Sequence, residues 1–486
     1  MKSPTVLNAV IAMLAIYGIA GGEHAAGAEP QARSRTRQAG SLSHGLVIHE
    51  WGTFTALQDE GGRAIPGVNT DDEPVPEFVH RLANLISKPS ELAPTYYKGV
   101  PRSHRGVTMR LETPVIYFYP PPTKPSLFVD VRVRFKGGWL TEYYPDAKVD
   151  APGLQTGGFR FGPLTADTVG TLEWKGLQVG GHADGPQTDS HVWLAPREVE
   201  RAASVRNPAG ETERYLFYRG VGNLVAPLSV IRDPSRDELV IREQRGSVKI
   251  RGPLAIRGLW LANIREDGTV AYRALGSATT SAERAGSGPA ERELARVSPT
   301  FEDQAYSAQN LVQLRSELRQ ALVKDGLYLD EAEAMLNTWQ AAYFKSPGLR
   351  LFFLLPQQWT DTVLPLTCSV PAEVVRSMIG RIEIVTPGQR ALIRRISSVP
   401  TSKVNWIYQA VATHAGKEPS LDQLWEGRGR FSDLDIPIPE DYRAYLALGR
   451  FRNALLLDQQ SQKPMSGLEG FIKEYNLGYF SPEESD

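Results

Sequence analysis

The sequence predicts an α+β protein: an antiparallel β-rich, sandwich-like N-terminal body followed by a mainly helical C-terminal part. Two observations carry this prediction. Between about residues 45 and 275, short runs of β-branched and aromatic residues recur, among them Pro114–Tyr119, Leu127–Phe135, Arg214–Tyr218 and Leu239–Arg242. Gly and Pro punctuate them and no long helical period intervenes, which favours antiparallel pairing over β-α-β crossovers. Beyond residue 300 the period lengthens to that of a helix, with Leu311, Leu314, Leu318 and Leu322 on one stripe.

In chain order, Met1-Lys2, the apolar run Val6–Ala20 and the tripeptide Ala26-Gly27-Ala28 read as a secretory signal over residues 1–28. The run is too short for a permanent span, and no later segment is long and apolar enough for one, so no integral membrane segment is expected after cleavage. The address is periplasmic or secreted. Residues 29–44 carry Arg33, Arg35 and Arg37 among small polar residues and have no apolar period to bury, so they are expected to form a disordered arm. Residues 45–275 form the β-rich domain. Within it, Phe128, Asp130, Arg132 and Arg134 alternate with Val129, Val131, Val133 and Phe135, which gives that strand a wet and a dry side.

Residues 276–300 turn abruptly to small and charged residues and read as a flexible linker. Over 301–402 the first helix ends at Asp325-Gly326. A second is expected to be capped by Asp330 with Glu333 in a capping box, and to bury Met335, Leu336, Trp339, Ala342 and Tyr343. The short strands Leu349–Leu355 and Ile379–Val385 cannot stand alone; they either form a second sheet or extend the first. Residues 403–486 read as helices, the clearest carrying Tyr442, Tyr445, Leu446, Leu448, Phe451 and Leu455.

Lys and Arg total 54 against 55 Asp and Glu, a formal net charge of −1. With no net positive field, nucleic acid is not an expected partner. The single cysteine, Cys368, excludes an intramolecular disulfide, and its surroundings carry no thiol-activating motif. There is no Gly-x-Ser-x-Gly elbow, Ser-x-x-Lys, P-loop, Cys-x-x-Cys or EF-hand loop, which removes the common serine-hydrolase, nucleotide-binding and thiol-redox chemistries.

Three constellations remain. His49-Glu50-Trp51-Gly52-Thr53-Phe54-Thr55 lacks the second His of a zinc-protease helix and lies in a strand pattern, so His49 and Glu50 point to opposite faces. Glu50 then shares the face of Leu46, Ile48 and Phe54, where a charge needs a partner. It is a candidate catalytic base; the bland alternatives are an Arg partner or a bulge at Gly52 that turns it to water. Secondly, if residues 185–188 of Gly180–Trp193 form a hairpin loop, His182 opposes His191 and Asp184 opposes Asp189 on one face. Two imidazoles and two carboxylates so placed would suit Zn or another divalent metal; the alternative is a polar loop. Thirdly, Trp139, Glu142, Tyr143 and Tyr144, with Tyr96-Tyr97 elsewhere, would make a sugar-stacking platform unless they are core.

The segments His49–Thr55, Glu112–Tyr119, Phe217–Asn223 and Leu327–Met335 together resemble a family of uncharacterised exported bacterial proteins, over most of the chain up to about residue 390. The resemblance carries no activity, cofactor or catalytic residue. It implies that the β-rich and helical parts form one recurring unit. The functional expectation is a metal-binding hydrolase centred on His182, Asp184, Asp189 and His191 with Glu50 as base. Its rival is a non-catalytic protein that binds a glycan or an envelope partner, and the identity of any small-molecule, glycan or protein partner is left open.

Overall fold

The computed structural model describes residues 45–70, 74–85, 96–97, 100–155, 160–244, 246, 250, 252–280, 292–407 and 438–479. The signal and the arm lie outside the described residues. The protein is a mixed α+β structure built on a large curled sheet of 15 strands. Its principal strands are β1 (Leu46–Gln58), β2 (Met109–Tyr119), β3 (Ser126–Lys136), β4 (Gly138–Tyr144), β5 (Val169–Gly180), β6 (Leu216–Gly222), β7 (Ala255–Ile264), β8 (Val270–Thr279), β9 (Gly348–Leu355) and β10 (Ala372–Ile384). They lie side by side in the order β5-β4-β6-β2-β1-β10-β9-β7-β8, and β3 also pairs with β5.

β1 is central, antiparallel to β2 but parallel to β10, with Thr55 opposite both Arg110 and Arg381. The expected wholly antiparallel body is therefore corrected to a mixed sheet, and the strands after residue 348 join the first sheet at its middle. Turn chemistry reports local hairpins. It says nothing about a pairing between segments more than 300 residues apart.

β3 alternates exposed and buried residues along its whole length, as its sequence predicts. β2 does not alternate simply. Trp51 pairs with Val115 and Thr53 with Glu112, so β2 carries one extra residue there. That bulge holds Thr113 at φ 40 and accommodates Pro114, which could not donate to a regular ladder. It also resets the alternation: Leu111 and Ile116 both join the core on one face. Gly52 lies against this bulge, and a Cβ there would meet Pro114 Cα at 3.0 Å.

Two further helical layers cover the opposite face. Helix α1 (Ala308–Asp325) buries Leu314, Leu318 and Leu322 and ends at Gly326, whose φ of 122 suits a residue without Cβ. Helix α2 (Leu329–Thr338) follows. Its N-terminus differs from the expected Asp330–Glu333 box: the Tyr328 backbone N–H donates to Glu331 at 2.6 Å. Asp330 turns outward to Arg201 instead, at 2.8 Å. Together α1 and α2 cover Trp51, Val115, Tyr117, Phe352 and Ile379.

Helices α3 (Pro387–Ser398), α4 (Glu440–Ala447), α5 (Arg452–Gln462) and α6 (Ser466–Glu474) form the C-terminal layer. They pack on Leu57, Ile65, Val68 and Trp139 of the β body. Thr386 caps α3 by accepting from Gln389 N–H at 3.2 Å. The expected linker over 276–300 is narrower than its composition suggests: Gly276–Thr279 complete β8, and Glu293–Val297 pair with Glu238–Glu243 in a three-stranded side sheet. Residues 281–291 lie outside the described residues. No helix among the described residues is long and apolar enough to cross a membrane.

His104 lies in the segment before β2. Its Nδ1 accepts from Gly106 N–H at 3.0 Å, Nε2 faces Gly162 O at 3.3 Å, and the ring meets Trp139 edge-on. An accepting Nδ1 requires the neutral ring, and burial holds its pKa below the usual value. The unfolded chain therefore takes up a proton near pH 6.5 before the folded chain does, so stability falls as pH drops through that value and levels off once the folded ring titrates. The loss has a limiting slope of about 1.4 kcal/mol per pH unit. Urea unfolding between pH 7 and 5 should show a shallower decline for His104→Gln than for the parent. Equal slopes would refute this.

Candidate functional site

Alternation along β1 sends His49 and Glu50 to opposite faces, as expected, and each meets a different set of partners. Glu50 is fully buried among apolar residues. Its Oε1 accepts from Tyr218 OH at 2.5 Å, and its Oε2 lies 2.5 Å from Arg376 Nε. Arg376 in turn meets Asp361 at 3.0 Å. Burial, reinforced by the Glu50 charge, pushes the Tyr218 phenol well above its ordinary pKa, so it stays a donor. Glu50 is thus a satisfied structural ion pair with no free oxygen directed at a substrate. The Arg-partner alternative describes it.

The hairpin expected over 180–193 does not form. β5 ends at Gly180, and its edge is taken from downstream, with Gln178 opposite Arg206 and Val179 opposite Val205. Residues 182–190 run irregularly, and His182, Asp184, Asp189 and His191 are all exposed. His191 begins a single helical turn and its Nε2 lies 2.8 Å from Asn337 O. The reason lies in Trp193, which is drawn into the aromatic core against Phe78, Tyr144, Tyr215 and Phe217 and donates to Glu213 at 2.8 Å. Burying an indole with its N–H satisfied outweighs a short ladder of polar pairs. Among the described residues, no group of three or more His, Cys, Asp or Glu is placed to hold a metal ion.

The aromatic platform is core as well. Trp139, Tyr143 and Tyr144 are at most 3% exposed, and Glu142 faces Arg219 at 3.5 Å. Tyr96-Tyr97 contribute a short strand. Cys368 sits half-buried, and burial pushes its thiol pKa up, which leaves it a poor nucleophile.

His49 forms the constellation that sequence reasoning missed. Its Nδ1 lies 2.8 Å from Glu331 Oε2 on α2, and Glu331 also accepts from Tyr119 OH at 2.6 Å and from the Tyr328 backbone N–H at 2.6 Å. The carboxylate is completely buried and fixed by three donors. Rings of Tyr328 and Tyr119 flank the imidazole, 4.6 and 5.2 Å away between centroids. Arg201 lies over the Tyr328 face at 4.2 Å. Burial and then the Glu331 charge push the Tyr119 phenol far above its ordinary pKa, so it too remains a donor. Nδ1 is the ring nitrogen that faces Glu331, and Nε2 makes no hydrogen bond to the described protein.

Three of the four segments noted in the sequence supply this constellation: His49, Tyr119, and Tyr328 with Glu331. The fourth supplies Tyr218 to the neighbouring ion pair, while its Arg219 meets Thr113 and Glu142 instead. The available signal was His49 and Tyr119 within apolar strand runs, whereas Glu331 stands between Asp330 and Glu333 and is not singled out by its surroundings. Pairing β1 with a helix 282 residues away is a tertiary event that no local period announces.

No family model matches the chain, and no curated protein matches it. Among solved structures, the Fcho1 Mu homology domain of Danio rerio with bound Eps15 peptide aligns at a TM-score of 0.25 and 8% identity, covering 70% of this chain and 95% of that one.

Proposed function

We propose that this chain is an exported hydrolase whose general base is His49 rather than Glu50, acting on an ester, amide or phosphoester small enough to rest against Tyr119 and Tyr328. The observation that carries the reading is the His49–Glu331 contact. A buried carboxylate holding one ring nitrogen orients the other as an acceptor and stabilises the imidazolium formed when it takes a proton. The reactive nucleophile in this reading is water, since no Ser, Thr or Cys is hydrogen-bonded to Nε2 in the described protein. Its oxygen attacks the carbonyl or phosphoryl centre while Nε2 takes the proton and later returns it to the leaving group. Export rests on the Met1–Ala28 pattern, and a metal is not required by the residues that converge.

The test is turnover of p-nitrophenyl acetate and p-nitrophenyl phosphate by the mature protein and by His49→Gln. A kcat/KM lower by about 10²–10⁴ in the variant, with an unchanged unfolding midpoint, is the expected result. Equal rates, or no turnover of either probe by the parent, would favour the rival reading of a non-catalytic binding protein.

A further inference from the structure

The same face of β1 that carries His49 carries Thr53 and Thr55 further along, where the sheet lies beneath both helical layers and holds charges of an unusual kind. Arg381 on β10 is directly opposite Thr55. Its side chain is 0% exposed, yet neither Nη1 nor Nη2 has a hydrogen-bond partner. Nε lies 3.1 Å from Glu383 Oε1, and that carboxylate is shared with Arg350 Nε at 3.3 Å. Arg350 spends its own Nη atoms on the carbonyls of Ala342, Tyr343, Ser346 and Pro347. Thr55 Oγ1 is likewise sealed from solvent and without a partner. Two guanidinium groups therefore share one carboxylate, and the surplus charge ends in a fork of donors with no hydrogen-bond partner, the Arg381 Cζ lying 5.6 Å from the centre of the Tyr343 ring.

A buried cation left uncompensated costs several kcal/mol, and unsatisfied buried donors add to that cost. The Nη1/Nη2 fork of arginine matches the paired oxygens of a carboxylate or phosphate. Thr55 and Arg381 are opposed in the β1–β10 register, so both side chains leave the same face of the sheet. We infer that Arg381 and Thr55 form an internal binding site for a small oxyanion of single charge, a carboxylate or a phosphate, which neutralises the Arg350–Arg381–Glu383 cluster. The site is independent of the His49 chemistry, since β1 rises about 3.3 Å per residue and six residues separate His49 from Thr55.

The experiment is thermal unfolding of the mature protein titrated with inorganic phosphate, sulfate or acetate, against sodium chloride at matched ionic strength. Arg381→Lys keeps the charge but loses the fork, and Thr55→Val keeps the shape but loses the hydroxyl. The expected result is a saturable rise in midpoint with phosphate or acetate, at least tenfold weaker in apparent affinity for Arg381→Lys and several-fold weaker for Thr55→Val. Which of the two anions saturates first identifies the ligand class. A rise that is equal with chloride, non-saturable as general salting-out is, or unchanged in Thr55→Val would overturn the site and leave the orphan donors to water. Should Arg381→Lys fail to fold, Thr55→Val alone decides.

Discussion

Replacing Arg376 by Met should destabilise the protein by about 3–5 kcal/mol, because it strands the Glu50 carboxylate in the core with Tyr218 as its one hydrogen-bond donor. Glu50→Gln should cost less. Its amide still accepts from Tyr218, and Arg376 keeps Asp361, which is half exposed and brings solvent with it. The double change Glu50→Leu with Arg376→Met should recover much of the loss, since an apolar pair of similar volume avoids desolvating two ions. Urea denaturation of the parent, Glu50→Leu, Arg376→Met and the double variant closes the cycle and gives the coupling energy directly. An Arg376→Met variant within 1 kcal/mol of the parent would show that Glu50 finds water or another partner, and would reopen it as a base.

Gly467→Ala should be the most damaging single-methyl change in the C-terminal layer. A Cβ at Gly467 would lie 2.0 Å from Ser397 O and 2.8 Å from Ser397 C, both backbone atoms at the end of α3. Neither can rotate away, so α6 must lift off α3 and loosen the packing of Leu468 and Phe471 on Ile393 and Ile396. Overpacking of this kind costs about 1–3 kcal/mol. Gly470 on the same helix is the control: its Cβ would meet Thr401 Oγ1 at 3.7 Å, an ordinary contact, so Gly470→Ala should be neutral or gain up to about 1 kcal/mol of helix propensity. Hydrogen exchange should show the Gly467→Ala loss confined to α3–α6 with β1 still protected. Uniform loss of protection would instead show that the C-terminal layer and the sheet unfold as one unit.

Several buried charges lie in segments that the sequence marks only as strands. In Arg381-Ile-Glu-Ile384 charged and apolar residues alternate. In the folded protein the charged face lies under helices, so Arg381 is buried. The same holds for Arg110, Glu112 and Arg350, all completely buried. Alternation reports that two faces differ; it does not report what covers the polar one. The 180–193 segment failed for the opposite reason. Its residues had the composition of a site, but Trp193 had more to gain from the aromatic core than four polar side chains had from a hairpin.

By itself the sequence determined that the fold is mixed α+β, that β3 has a wet and a dry side, that α1 buries Leu314, Leu318 and Leu322, and that His49 and Glu50 part to opposite faces of one strand. These are consequences of periods 2 and 3.6 and of local turn and cap chemistry, which a dozen residues suffice to express. Only the tertiary structure decided that β1 lies between β2 and a parallel β10, that Glu50 is spent on Arg376, and that His49 meets a glutamate from a distant helix. Those outcomes depend on which desolvated charge finds which partner when far segments close together, a choice made by the whole core at once and written in no single stretch of the chain.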